Sequence, residues 1–149
     1  RLLSNLISDA KQRGIDICYD GDGLLAELEQ DRSCFDLVHK ASLVHWDMWI
    51  GNVFVKEHHV SGIIDWERAM WGEPFMDDRF RAHNRNEAFL RGYGQSSFSK
   101  EEKVRLRWYD VILYLTMMIE VFYREFDDMG QYDWAKAQLL KVMEQNFVH

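Results

Sequence analysis

The sequence predicts an α+β domain, mainly helical, with one or two small β-hairpins in its first half. Three observations lead there. From Ser99 to Phe122 apolar residues recur at helical spacing. Two further helical patterns open and close the chain. Between them, "VFV" (53–55) and "VSGIIDW" (60–66) are β-branched and aromatic runs split by the polar "KEHH", which is a hairpin pattern. With 149 residues the chain is long enough to bury one core, so residues 1–149 are expected to form a single domain.

Element by element, Leu2, Leu3, Leu6, Ile7 and Ala10 follow the i, i+3/i+4 rule, and Gly14 is the expected stop. "YDGDG" (19–23) is a turn; its carboxylate spacing does not fit a calcium loop, and Asp22 is the expected N-cap of the next helix. Leu24, Leu25 and Leu28 mark that second, shorter helix. Pro74 suits a helix start, which puts Asp77 and Asp78 in the first turns, where the helix dipole favours negative charge. "NEAFLRGYG" (86–94) reads as a short helix closed by glycine. Ser99 and Glu102 form a capping box. Beyond them Val104, Trp108, Val111, Ile112, Leu115, Met118, Ile119 and Phe122 share one broad face, and the helix centre is apolar nearly all round. Tyr132, Ala135, Leu139, Val142 and Met143 define a last helix.

Composition narrows the function classes. The net charge of −7 disfavours a nucleic-acid partner, which requires a basic face. The greasiest run, "VILYLTMMI" (111–119), lies between Asp110 and Glu120 and falls short of the ~20 residues a bilayer needs, so no membrane span is expected. Residues 1–15 mix charge with apolar residues and lack a signal-peptide pattern. Cys18 and Cys34 have no metal-site spacing and read as reduced thiols. A cytoplasmic location is the resulting expectation.

One stretch carries chemistry. "LVHWDMWIGNVFV" (43–55) sets His45, Asp47 and Asn52 in the frame H-x-D-x-x-x-x-N between two apolar runs, and Asp65 follows the returning strand. Phosphoryl transfer uses such a frame: an Asp accepts the proton of the attacking hydroxyl, while an Asn and a second Asp hold magnesium. The residue types follow from the charges. The phosphates of ATP need a hard cation, and such a cation prefers oxygen ligands, here one neutral from Asn52 and one charged from Asp65. Asp47 must stay free of metal to serve as base. A hairpin brings Asn52, just before its first strand, next to Asp65, just after its second. Plainer uses stand beside these: Asp47 as a loop cap, Asn52 in a Gly-Asn turn, Asp65 as cap of the next turn.

"LVHWDMWIGNVFV" followed by "SGIIDWERAMWGEP" closely resembles the aminoglycoside phosphotransferase and choline kinase-like family over residues 43–77. That family's pattern is H-G-D-x-x-x-x-N, then I-D-[WF]-E, then G-[DE]-P and a further Asp. The resemblance implies a protein-kinase-like C-terminal lobe whose small hairpin carries the catalytic loop. It implies Asp47 as catalytic base, Asn52 and Asp65 as magnesium ligands, His45 as a buried support of the loop and Asp77 as its brace from the next helix. ATP would be the phosphoryl donor, and a small molecule bearing a hydroxyl, such as an aminoglycoside or choline, the acceptor. Trp46 departs from the pattern by replacing Gly; its ring is expected to pack outward or to narrow the acceptor pocket.

A kinase also covers ATP with a Gly-rich loop and a strand lysine. Neither appears here, and the chain starts with Arg1 inside a helical pattern. The expectation is a C-terminal lobe alone, inactive without an N-terminal nucleotide-binding lobe from the same full-length protein. Two alternatives remain open: a degenerate kinase lobe acting as a binding module, and a metal-dependent phosphohydrolase. Among the remaining residues, Trp66, Trp71 and Trp108 are expected in the core, Glu67 and Arg68 as an exposed pair, and His58 and His59 in the hairpin turn. Asp110, Glu120, Glu125, Asp127 and Asp128 read as a solvated face rather than the lining of a pocket for a cationic acceptor.

Overall fold

The computed structural model describes residues 1–80, 91–92 and 97–144, with the backbone only at 78–80. The short helix expected over 86–94 lies outside the described residues apart from 91–92. Helices and small antiparallel sheets form two compact units, Arg1–Phe35 with Arg107–His149, and Asp36–Leu106. Among the described residues no helix is long and apolar enough to cross a membrane.

The first unit opens with α1 (Leu2–Arg13), which buries Leu3, Ile7 and Ala10 and ends on Gly14 at φ 64, the left-handed stop that glycine supplies without strain. Helix α2 (Gly21–Gln30) is capped by Asp20, whose carboxylate accepts the Gly23 N–H at 2.9 Å, and not by Asp22. The close approach of Gly21 to α1 moves the start upstream: a Cβ there would meet Ile7 Cγ2, so residue 21 lies inside the helix and residue 20 must cap it. Asp22 sits in the first turn, paired with Lys11 at 3.5 Å. A four-residue turn of helix, α3 (Arg32–Phe35), comes next.

The long helix, α5 (Lys100–Tyr123), begins with the expected capping box: Glu102 N–H donates to Ser99 Oγ at 3.1 Å, and Ser99 N–H donates to the Glu102 carboxylate at 2.7 Å. Trp108, Val111, Leu115 and Met118 are fully buried, and Leu113, Tyr114 and Val121 on other faces are buried too, as an apolar centre requires. The Trp108 indole N–H donates to Asp31 at 2.8 Å, so this fully buried side chain keeps its polar atom satisfied. Asp110 is buried, contrary to its expected place on a solvated face, whereas Glu125, Asp127 and Asp128 are exposed. Helix α6 (Gly130–Glu144) buries Tyr132, Ala135 and Leu139. Its Tyr132 hydroxyl donates to the Asp16 carbonyl at 2.7 Å, and Lys136 reaches the Asp16 carboxylate at 3.0 Å. The lysine hydrogen bond and the Cys18 N–H hold the Asp16 carboxyl below the usual carboxylate range. Cys18 and Cys34 form no disulfide and are half-buried.

The second unit holds two two-stranded antiparallel sheets. In the expected hairpin, β2 (Val53–Lys56) pairs with β3 (His59–Ile63), with an irregularity at Phe54/Val55. Its turn is Glu57-His58, with φ of 49° and 65°. Two left-handed residues match the twist of a two-residue hairpin, but Asn-Gly adopts them at less cost. Glu57→Asn with His58→Gly is therefore expected to raise stability by up to about 1 kcal/mol, read as a higher urea midpoint at unchanged slope. A lower midpoint would mean that the native turn side chains make contacts worth more than the strain.

The other sheet joins β1 (Ser42–Val44) to β4 (Met70–Gly72), with Leu43 opposite Trp71. This pairing brackets the whole hairpin. Helix α4 (Phe75–Phe80) follows Pro74, as expected. Gly72 permits close packing here, since a Cβ would collide with Met76 Sδ. Of the three tryptophans expected in the core, Trp108 is buried, but Trp66 is 46% exposed and Trp71 75% exposed. Trp71 lies on a short strand of a two-stranded sheet, whose open face leaves alternate side chains in solvent, and Trp66 opens the 3₁₀ turn after β3.

Candidate active site

The loop 45–52 connects β1 to the hairpin, and its polar side chains turn inward. His45, Asp47, Asn52 and Asp77 are all buried. Buried polar groups need partners, and those of His45, Asn52 and Asp77 are backbone groups of the loop and of Ile64.

His45 is locked in one tautomer. Its Nδ1 accepts the Asp47 N–H at 3.2 Å, so Nε2 carries the proton and donates it to the Ile64 carbonyl at 2.8 Å. The ring thus ties the loop to the residue before Asp65, and Trp66 packs on it with ring centroids 4.6 Å apart. With both ring nitrogens engaged by backbone groups, the imidazole is a strut of the loop. Asp77, from the first turns of α4, accepts the Trp46 N–H at 2.7 Å. It therefore holds the loop from the following helix.

Asn52 ends a 3₁₀ turn, Ile50–Asn52. Its side-chain amide donates to the Asp47 carbonyl at 3.0 Å, and its own carbonyl accepts the Ile64 N–H at 3.0 Å. The amide nitrogen is thereby committed to the loop, and the amide oxygen is the end left for a ligand. Gly51 leaves room beside it for the Trp49 ring, which a Cβ would displace. Asp65 follows β3 in the left-handed region, φ 65, ahead of a 3₁₀ turn, Trp66–Arg68, to which its side chain gives no cap hydrogen bond. The plainer role of helix cap thus has no bond behind it. The carboxylate is exposed.

The structure therefore brings Asp47, Asn52 and the Ile64–Asp65 segment together through direct hydrogen bonds, and Asp77 joins them through Trp46. The donor set fits a hard cation: Asn52 and Asp65 present oxygens one neutral and one charged, on chain segments one residue from direct pairing. Among the described residues no three His, Cys, Asp or Glu side chains gather as a metal cluster. A cation at Asn52 and Asp65 would need further oxygens from a phosphate ligand or water.

Two features were beyond the sequence pattern. The β1–β4 pairing, which carries the loop to Asp77, joins residues 28 apart and has no local signal. Trp46 is the other. It adopts φ 58, a conformation that glycine takes freely and a bulky residue takes at a cost. Its ring does not pack outward: it is 3% exposed, and its indole Nε1 is buried without a hydrogen-bond partner. Such an orphaned donor costs ~1–3 kcal/mol. Arg68, expected exposed with Glu67, is half-buried.

A family model described as the phosphotransferase enzyme family matches residues 2–109. No curated protein and no solved structure matches the chain.

Proposed function

Because the chain belongs to the phosphotransferase enzyme family, we propose that it supplies the catalytic lobe of a small-molecule kinase, moving the γ-phosphate of ATP to a hydroxyl with magnesium. The observation that carries this reading is the bonded set His45–Asp47–Asn52–Ile64, which holds a carboxylate, a carboxamide oxygen and the Asp65 carboxylate on one short frame.

In this reading Asp47 accepts the proton of the acceptor hydroxyl as its oxygen attacks phosphorus. Phosphoryl transfer asks the protein mainly for position and charge. The Asp47 backbone is therefore clamped at both ends, by His45 and Asn52, so that its carboxylate can be aimed. Asn52 and Asp65 would hold magnesium, which neutralises phosphate charge when bound. Asp77 keeps the loop from moving off that line. A nucleotide-binding lobe would have to grip ATP on its other side. The acceptor is a small hydroxyl compound of the aminoglycoside or choline kind.

The test is transfer itself. The full-length protein, given ATP, Mg²⁺ and a panel of choline, kanamycin and glucosamine, is expected to form a phosphorylated acceptor and ADP in equal amounts. Release of inorganic phosphate with no acceptor product would instead identify a phosphohydrolase. Asp65→Asn is expected to raise the Mg²⁺ concentration needed for half-maximal rate by at least tenfold, because an ionised ligand is replaced by a neutral one. An unchanged Mg²⁺ requirement would remove Asp65 from the metal site. Absence of both turnover and Mg²⁺-dependent nucleotide binding would leave a binding module.

A further inference from the structure

Trp46 bears two costs at once. It holds a left-handed backbone at φ 58 with a bulky side chain, and its indole N–H is buried with no partner. A phenylalanine would fill the core with no orphaned donor, and a glycine would relieve the backbone. Strain and unsatisfied groups of this kind concentrate where a ligand completes the structure. The residue's position sharpens the point. Along the chain Trp46 stands between the strut His45 and Asp47, and Asp77 grips its backbone N–H at 2.7 Å. That grip fixes the main chain, while the side-chain donor is left over.

Taking the phosphotransfer reading as its basis, we infer that Trp46 is a specificity-determining residue whose indole N–H donates a hydrogen bond to an oxygen of the bound acceptor substrate. The chemistry selects the partner class. Indole N–H is a donor only, so it needs an acceptor atom. Hydroxyl-rich and alkoxy compounds present such oxygens close to the hydroxyl that Asp47 would deprotonate. The donor is out of solvent's reach in the resting state. Acceptor binding must therefore shift what covers it, and the gained bond favours acceptors that have an oxygen at that place.

The experiment uses the full-length protein, with a ¹H–¹⁵N spectrum of its indole groups. Trp46→Phe assigns the Trp46 signal by its disappearance. In the free protein the Nε1 proton is expected at the upfield, non-hydrogen-bonded end of the indole range. It is expected to move downfield when a polyhydroxyl acceptor that the enzyme phosphorylates (kanamycin or glucosamine) is added with Mg²⁺ and a non-hydrolysable ATP analogue, and to stay in place with the nucleotide alone. In kinetics, Trp46→Phe should raise the acceptor KM roughly five- to tenfold, with the ATP KM unchanged. A role in packing alone would lower the melting temperature without moving either the signal or the KM ratio. A downfield signal in the free protein, movement with nucleotide alone, or an unchanged acceptor KM overturns the inference. If the wild type phosphorylates none of the acceptors, the phosphotransfer reading has failed and the inference with it. An active wild type beside an unaltered Trp46→Phe variant removes the inference only.

Discussion

Asp47→Asn in the full-length protein is expected to lower kcat by about 10³-fold, within the range that a general base contributes, with the KM for ATP little changed. The substitution keeps shape and removes only basicity. The loop should survive it, because its anchors are backbone atoms: Asp47 N–H on His45 Nδ1 at 3.2 Å, and Asp47 C=O under the Asn52 amide at 3.0 Å. Loss of rate without loss of nucleotide binding is the signature of a group used only in the transition state. Asp47→Ala should behave alike in rate, and a circular dichroism spectrum matching wild type would show the fold intact. Equal turnover by wild type and both variants would exclude Asp47 as the base and with it the proposed mechanism.

Arg105→Met is expected to destabilise the protein by about 3–5 kcal/mol. Arg105, near the start of α5, pairs with Glu73 through two parallel bonds of 2.8 and 2.9 Å, and both side chains are over nine-tenths buried. Removing one partner leaves the other charge buried with its main counter-ion gone. That cost is a large share of a typical domain's 5–15 kcal/mol. Glu73 also begins the segment leading to Asp77: its carbonyl accepts the Met76 N–H at 3.0 Å. The brace on the 45–52 loop should loosen along with the pair. Glu73→Met combined with Arg105→Met is expected to recover much of the stability, since apolar groups of similar volume can replace a buried ion pair. Urea unfolding of wild type, both single variants and the double variant measures this. A single-variant loss under about 1 kcal/mol would mean that the pair is screened as surface pairs are, and a double variant no better than the singles would assign the loss to packing.

The helices were legible because their signals are local. Gly14 stops α1 and Ser99–Glu102 starts α5 through atoms a few residues apart. The same holds for the hairpin, whose two apolar runs are separated only by its turn. The cap of α2 falls two residues before the one the sequence suggests, since Asp20 and Asp22 are both good caps and the packing of Gly21 on Ile7 chooses between them. Trp66 and Trp71 are exposed against expectation, because one opens a 3₁₀ turn and the other lies on a two-stranded sheet with an open face.

The order and types of residues by themselves determined the chemistry on offer: a His, an Asp, an Asn and a second Asp, spaced so that a hairpin can gather them. They also determined the helices that precede and follow that hairpin along the chain. Tertiary structure decided the rest. The β1–β4 pairing and the Asp77 bond to Trp46 connect residues about 30 apart, and the His45 bond to the Ile64 carbonyl spans a shorter stretch. The burial of the Trp46 ring is equally a product of folding. The physical reason is that propensity and periodicity describe each segment's own preferences. Which tautomer His45 adopts, and whether an indole N–H finds a partner, depend on atoms that only folding brings within about 3 Å.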